Sequence, residues 1–217
     1  TGPVWVYFHG TPGCRLQINH GLHKYAESWS IRVIGIDRPG YGRSILRQGS
    51  GMMSHMQDVE HLLNFLDVNY FNVYGVSGGG PYALAAAHYF PKTRLRKIGI
   101  MCGMPLPDYG DNMISFRWKA KNRENWAINQ ETNLQRQKGY VNDLRLASNP
   151  WGFDLEDIRA NKILWYHGGL DQNTGYDASK LTAQRVGGSG VDFKSWPEPD
   201  HHSLQRYRGQ MWDWLRK

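Results

Sequence analysis

The chain has 217 residues, 40% of them hydrophobic and 21% charged. This size suits one domain with a large core, and the composition excludes a disordered chain. The net charge of +7 comes from scattered basic residues, and no apolar run approaches the about 18 residues of a membrane helix, so neither nucleic-acid binding nor a membrane span is expected.

The predicted elements alternate. Val4–Phe8 reads as a buried strand, ended by His9-Gly10-Thr11-Pro12-Gly13, and a helical stretch follows around Gln17 to Trp29. Arg32–Ile36 is a second strand, stopped by the turn-rich Asp37-Arg38-Pro39-Gly40-Tyr41-Gly42. Between Met52 and Leu66 the apolar residues Met56, Val59, Leu62, Leu63 and Leu66 recur at helical spacing. Phe71–Val76 is a third strand, Gly80–Phe90 an Ala-rich helix, and Leu95–Met101 a fourth strand. Pro105–Ala160 contains no strand pattern and reads as a helical insertion, with helices near Ile114–Arg123 and Glu131–Leu146. Strands resume at Lys162–Tyr166 and Val191–Trp196, before an amphipathic helix from about Leu204 to Leu215. Apolar strands separated by helices predict a mostly parallel sheet covered on both faces, with its sites beyond the carboxyl ends of the strands.

The polar residues at those ends are distinctive. Gly75-Val76-Ser77-Gly78-Gly79 follows a strand and opens a helix. This is the context of a G-x-S-x-G nucleophile elbow, whose sharp turn needs small neighbours. A phosphate-binding turn would lack its Walker lysine here. A serine nucleophile needs a base, and the base an orienting acid, in the chain order Ser, Asp, His for this elbow. Asp171, in His167-Gly168-Gly169-Leu170-Asp171, and His201, in Asp200-His201-His202-Ser203-Leu204, both lie past strands and can converge on Ser77. A turn role for Asp171 remains open, since Asn173 and Gly175 follow. Oxyanion stabilisation needs two N–H donors, expected from Gly78 and, because Pro12 has none, from Thr11. His9, before a tight turn, reads as a brace for that loop.

The chain resembles the α/β-hydrolase superfamily, in its esterase and proline-iminopeptidase-like group. The segments that carry this are HGTPG at 9–13, DRPGYGRS at 37–44, GVSGGGPYAL at 75–84, HGGLD at 167–171 and DHHSL at 200–204. The resemblance implies an α/β-hydrolase fold with core segments 1–104 and 161–217 and a helical lid at 105–160. It places the base at His201, with His202 as the rival, because Asp200 stands where the family often has glycine. His202 is then expected half-buried against the lid or the last helix. Some members place the acid after the strand that here ends near Met101, which makes Asp108 and Asp111 alternatives to Asp171. The family's first two strands are apparently missing, which leaves Arg32–Ile36 as an edge strand to be covered by a residual segment or by a second copy in a homodimer. The implied strand order separates Cys14 and Cys102 by about 10 Å, beyond disulfide reach. With no CxxC pair, a structural zinc site is not expected.

The activity implied is hydrolysis of a carboxylic ester or lactone of a small-molecule acyl substrate through an acyl-enzyme, with no cofactor and no metal. A proline-iminopeptidase-like or amide hydrolase is an alternative. It needs an acidic lid residue, for which Glu124, Glu131 and Asp143 are available. A small-molecule receptor with slow hydrolysis is an alternative from another class. Phe116, Trp118, Trp126, Trp151 and Phe153 could wall a substrate pocket or form the lid's core. The opening Thr1-Gly2-Pro3 carries no signal peptide, and the cytoplasm is favoured.

Overall fold

Runs of five to seven residues, mostly apolar except in β6, form the strands: β1 (Val4–Phe8), β2 (Arg32–Ile36), β3 (Phe71–Val76), β4 (Leu95–Met101), β5 (Ile163–Gly168) and β6 (Val191–Trp196). They associate in the order β2-β1-β3-β4-β5-β6, and every adjacent pair is parallel. The structure, a computed structural model, describes residues 2–19, 21–109, 130–160, 162–188 and 190–217. The helices among them are α1 (Leu22–Ser28), α2 (Met52–Phe65), α3 (Gly80–Tyr89), α4 (Lys138–Ala147), α5 (Tyr176–Gln184) and α6 (Arg208–Arg216).

Alternation along the strands divides the core in two. Val6 and Phe8 of β1 point to the face covered by Met56, Val59 and Leu63 of α2, Leu84 of α3 and Ala183 of α5. Trp5 and Tyr7 point to the opposite face, against Leu22 of α1 and Met211, Trp212 and Leu215 of α6. A strand buried on both faces cannot alternate polar with apolar, which is why β1 and most of β3 and β5, and β4 from Ile98 onward, read as largely hydrophobic runs. The peripheral β6 alternates half-buried and exposed residues along most of its length. The strand β2 pairs with β1 alone among the described residues, so it is an edge.

The structure amends the expected elements at several places. The first helix begins at Leu22, after a 3-10 turn at Arg15–Asn19. The last helix begins at Arg208, after a 3-10 turn at Ser203–Tyr207. Helix α5 gave no sequence signal: its buried positions are Ser179, Thr182 and Ala183, small or polar residues that carry no apolar periodicity. Within the expected insertion, the stretch near Ile114–Arg123 lies outside the described residues. Leu146, Trp151, Leu155 and Ile158 join the same apolar cluster as α2 and α3.

Candidate active site

The site is built where β3 turns into α3. Ser77 adopts φ +53°, in the left-handed region that non-glycine residues rarely occupy. Its neighbours must be small for this to occur. A Cβ on Gly75 would lie 2.6 Å from the Gly79 carbonyl oxygen, and one on Gly78 would collide with Thr11 Oγ1. The turn lifts Ser77 above the sheet, at the carboxyl end of the central strand.

Asp171, past β5, and His201, past β6, reach the same point. The Ser77 Oγ lies 3.0 Å from His201 Nε2, and His201 Nδ1 lies 2.8 Å from Asp171 Oδ2. All three residues are buried. The second oxygen of Asp171 accepts from the amides of Asn173 (2.9 Å) and Thr174 (3.1 Å), while the Thr174 hydroxyl donates to Oδ2 at 2.9 Å. Thus the turn geometry that Asn173 and Gly175 announced coexists with the contact to His201. Burial pushes the Asp171 carboxyl up, but the hydrogen bond and charge of His201, with the neighbouring His167 and the Thr174 amide, pull it down to about 2. Burial pulls the His201 imidazole down, while the Cys102 sulfur and the Asp171 carboxylate push it up, and the net direction is upward.

His167 has a place in this arrangement that its sequence position did not reveal. Its fully buried ring accepts from Trp165 Nε1 at Nδ1 (3.3 Å), which leaves the proton on Nε2, 3.4 Å from Asp171 Oδ2. Burial holds the ring down to about 4, so it stays neutral. The only cue in the chain was the four-residue interval between His167 and Asp171 in HGGLD.

Thr11 and Gly78 face each other across the elbow, as the near-contact of Thr11 with Gly78 requires. The Thr11 loop is held from beneath by the fully buried Arg38. Its guanidinium donates to the His9 carbonyl, to the Gly10 carbonyl (3.2 Å) and to Thr11 Oγ1 (2.8 Å). His9 braces the same loop: Nδ1 meets the Gly10 carbonyl at 2.8 Å, and Nε2 accepts from the Arg38 amide at 3.2 Å. The counter-ion of Arg38 is Asp143 of α4, at 2.6 Å. Asp143 also accepts from Thr11 Oγ1 (2.6 Å), Tyr41 (2.9 Å) and Tyr82 (3.3 Å).

Other predicted residues fall elsewhere. His202 is exposed, not half-buried, and stands edge-on to His201, with ring centroids 5.5 Å apart. The reason is Asp200: its Oδ1 accepts from the amides of His202 (3.0 Å) and Ser203 (2.7 Å), a tight turn that directs successive side chains apart. Asp108 is exposed and pairs with Arg185 at 3.7 Å, away from His201. Glu131 is paired with Arg15 (2.5 Å) and Arg43 (3.3 Å). Trp151 packs in the core beside Phe153, with ring centroids 6.0 Å apart. Asp111, Phe116, Trp118, Glu124 and Trp126 lie outside the described residues. Cys14 and Cys102 are buried thiols with no disulfide between them.

The sequence matches no family model and no curated protein. Solved structures do match. An esterase from Exiguobacterium antarcticum superposes with a TM-score of 0.74 at 17% identity, covering 99% of this chain and 91% of its own. Est816, an N-acyl homoserine lactone degrading enzyme, gives 0.73 at 20%, covering 100% and 93%. An alpha/beta hydrolase fold protein from Nakamurella multipartita gives 0.69 at 17%, covering 100% and 88%. With a parallel sheet in this strand order, a serine in a left-handed turn at the end of its central strand and likeness along the whole chain, the protein has the α/β-hydrolase fold.

Proposed function

We propose that the chain is a serine hydrolase that cleaves a carboxylic ester or lactone through an acyl-enzyme. The observation that carries this is the unbroken hydrogen-bond line from Ser77 through His201 to Asp171. Ser77 Oγ attacks the substrate carbonyl as its proton passes to His201 Nε2. Asp171, kept ionised, fixes the tautomer with the proton on Nδ1 and stabilises the imidazolium. The amides of Thr11 and Gly78 receive the oxyanion. His201 returns its proton to the departing alcohol oxygen, and water repeats the sequence to release the acid and restore Ser77. The resemblance makes segment 105–160 the counterpart of the family's lid, and no cofactor is required.

The likeness to an esterase and to a lactone-degrading enzyme agrees with this substrate class. The iminopeptidase-like reading needs a carboxylate offered to a substrate amine. Asp143 and Glu131 each already have arginine partners, which weighs against it. The test is fluorophosphonate labelling followed by an ester and lactone screen. Labelling at Ser77 with multiple turnover supports the proposal. A single slow burst of product would instead mark a receptor, and absence of labelling would defeat the serine assignment.

A further inference from the structure

The described residues contain one group in which three metal-type donors converge: the Cys102 sulfur, an Asp171 carboxylate oxygen and a His201 ring nitrogen all lie within 4.8 Å of one another. The three come from the ends of three neighbouring strands, β4, β5 and β6, so no sequence spacing announces them. Each is anchored. Cys102 sits at φ +43°, its amide donating to the Tyr166 carbonyl at 2.8 Å. Asp171 is fixed by Asn173 and Thr174, and His201 by Asp171. The buried thiol stands beside the imidazole, and no step of hydrolysis uses it.

We propose that Cys102, Asp171 and His201 form a site for a soft divalent cation, represented by Zn2+, and that filling it stops turnover by withdrawing His201 from proton transfer. A tetrahedral zinc with bonds of about 2.0–2.3 Å sets its donor atoms about 3.3–3.6 Å apart. An inward movement of about 1 Å by the widest pair, with slight opening of the His201–Asp171 contact, reaches that spacing. One thiolate, one imidazole and one carboxylate favour Zn2+ or Co2+ over Mg2+ or Ca2+, which prefer oxygen alone. Three protein donors leave a fourth position for water. On binding, the Cys102 proton leaves to solvent as the sulfur–metal bond forms, and nothing is oxidised or reduced. Coordination at His201 Nε2 takes the lone pair that receives the Ser77 proton. Coordination at Nδ1 instead moves the imidazole proton from Nδ1, where it is donated to Asp171, to Nε2, which then has no lone pair for the Ser77 proton. Either outcome disables the base. The inhibitory half of the proposal rests on the serine-hydrolase reading, and the binding half does not.

The test is a Co2+ titration of the whole chain after chelator treatment, read by the thiolate-to-cobalt charge-transfer band. The expected result is one Co2+ per chain with that band, displaced by Zn2+ and unaffected by Mg2+. Cys102→Ser should lose the band and bind Co2+ about tenfold or more weakly, whereas Cys14→Ser and His202→Phe should retain both. His201→Gln, which keeps the thiol, should also weaken binding by about tenfold or more, and it decides the matter if Cys102→Ser does not fold. In parallel, Zn2+ should slow fluorophosphonate labelling of the wild type but not of Cys102→Ser. Absence of the band in the wild type, undiminished Co2+ binding by His201→Gln, or equal slowing of labelling in wild type and Cys102→Ser would overturn the proposal. Absence of labelling without any metal counts against the serine-hydrolase reading alone, and the cobalt band then still decides the site.

Discussion

Asp143→Asn is expected to be among the most destabilising single-atom-scale changes in this chain. The carboxylate is buried, and three donors converge on its Oδ2: Arg38 Nη2 and Thr11 Oγ1, each at 2.6 Å, and Tyr41 at 2.9 Å. Its Oδ1 faces Arg38 Nε at 3.4 Å and Tyr82 at 3.3 Å. An asparagine can offer its oxygen to one set only, and its NH2 then confronts the other. Tyr82 can turn its hydroxyl to accept, but the Arg38 N–H cannot. The larger loss is charge, because a fully buried guanidinium is left without its counter-ion. Removing one partner of such a pair costs about 3–5 kcal/mol. For a domain of this length that corresponds to a fall in Tm of roughly 6–20 °C. Arg38 also holds the Thr11 loop, so the surviving folded fraction should lose kcat as its oxyanion donors loosen. A double variant, Arg38→Met with Asp143→Leu, should recover only part of the stability, because the His9 and Gly10 carbonyls lose their donor. Thermal melts and urea titrations measure the first effect, and ester turnover well below the melting range measures the second. The reasoning is refuted if Asp143→Asn melts within about 2 °C of the wild type. It is also refuted if the variant raises KM only for substrates bearing a free amine, since Asp143 would then be an anchor for substrate rather than for Arg38.

Other expectations concern the triad and the buried histidines. His201→Ala should abolish turnover and fluorophosphonate labelling, whereas His202→Phe should label at a rate close to wild type, because His202 is exposed; the opposite ranking would make His202 the base. Asp171→Asn should lower kcat by roughly 10⁴-fold, as loss of a triad acid can, while Asp108→Asn leaves it nearly unchanged; steady-state kinetics on one nitrophenyl ester separates them, and equal effects would remove Asp171 from the mechanism. Burial, with the charges of Arg38 and Arg47, lowers His55 to about 3. The folded state therefore refuses a proton that the unfolded chain takes up below about pH 6.5. The stability this gives is complete above that pH and is lost as pH falls toward 3, at up to about 1.4 kcal/mol per pH unit. Because burial also lowers His9 and His167, His55→Leu should reduce, by roughly a third, the fall in urea midpoint between pH 7 and pH 5, and an unchanged difference would show that His55 does not contribute.

What the amino-acid sequence determined by itself is what local physics encodes. The strands lie where short, mainly apolar runs are bounded by turn residues, because a strand buried on both faces shows mostly hydrophobic side chains. The Ser77 turn was legible because its left-handed backbone and close neighbours leave glycine little alternative at 75 and 78. Asp171 and His201 were visible as polar residues just past strands that had already been recognised. Helix α5 stayed hidden because its buried face is Ser179, Thr182 and Ala183, whose fit depends on a sheet that must exist first. The roles of Arg38, Asp143, His167 and Cys102 required tertiary structure for the same reason. Arg38 and Asp143 are 105 residues apart, and any surface pair would look the same in the chain; burial turns these two into a brace for the Thr11 loop. His167 comes within 3.4 Å of Asp171 only because both lie buried at the end of β5, where Trp165 donates to its Nδ1. Cys102 stands beside His201 only because β4, β5 and β6 lie side by side and bring residues 102, 171 and 201 to one end of the sheet. Desolvation and convergence are properties of the packed molecule, and a linear pattern carries neither.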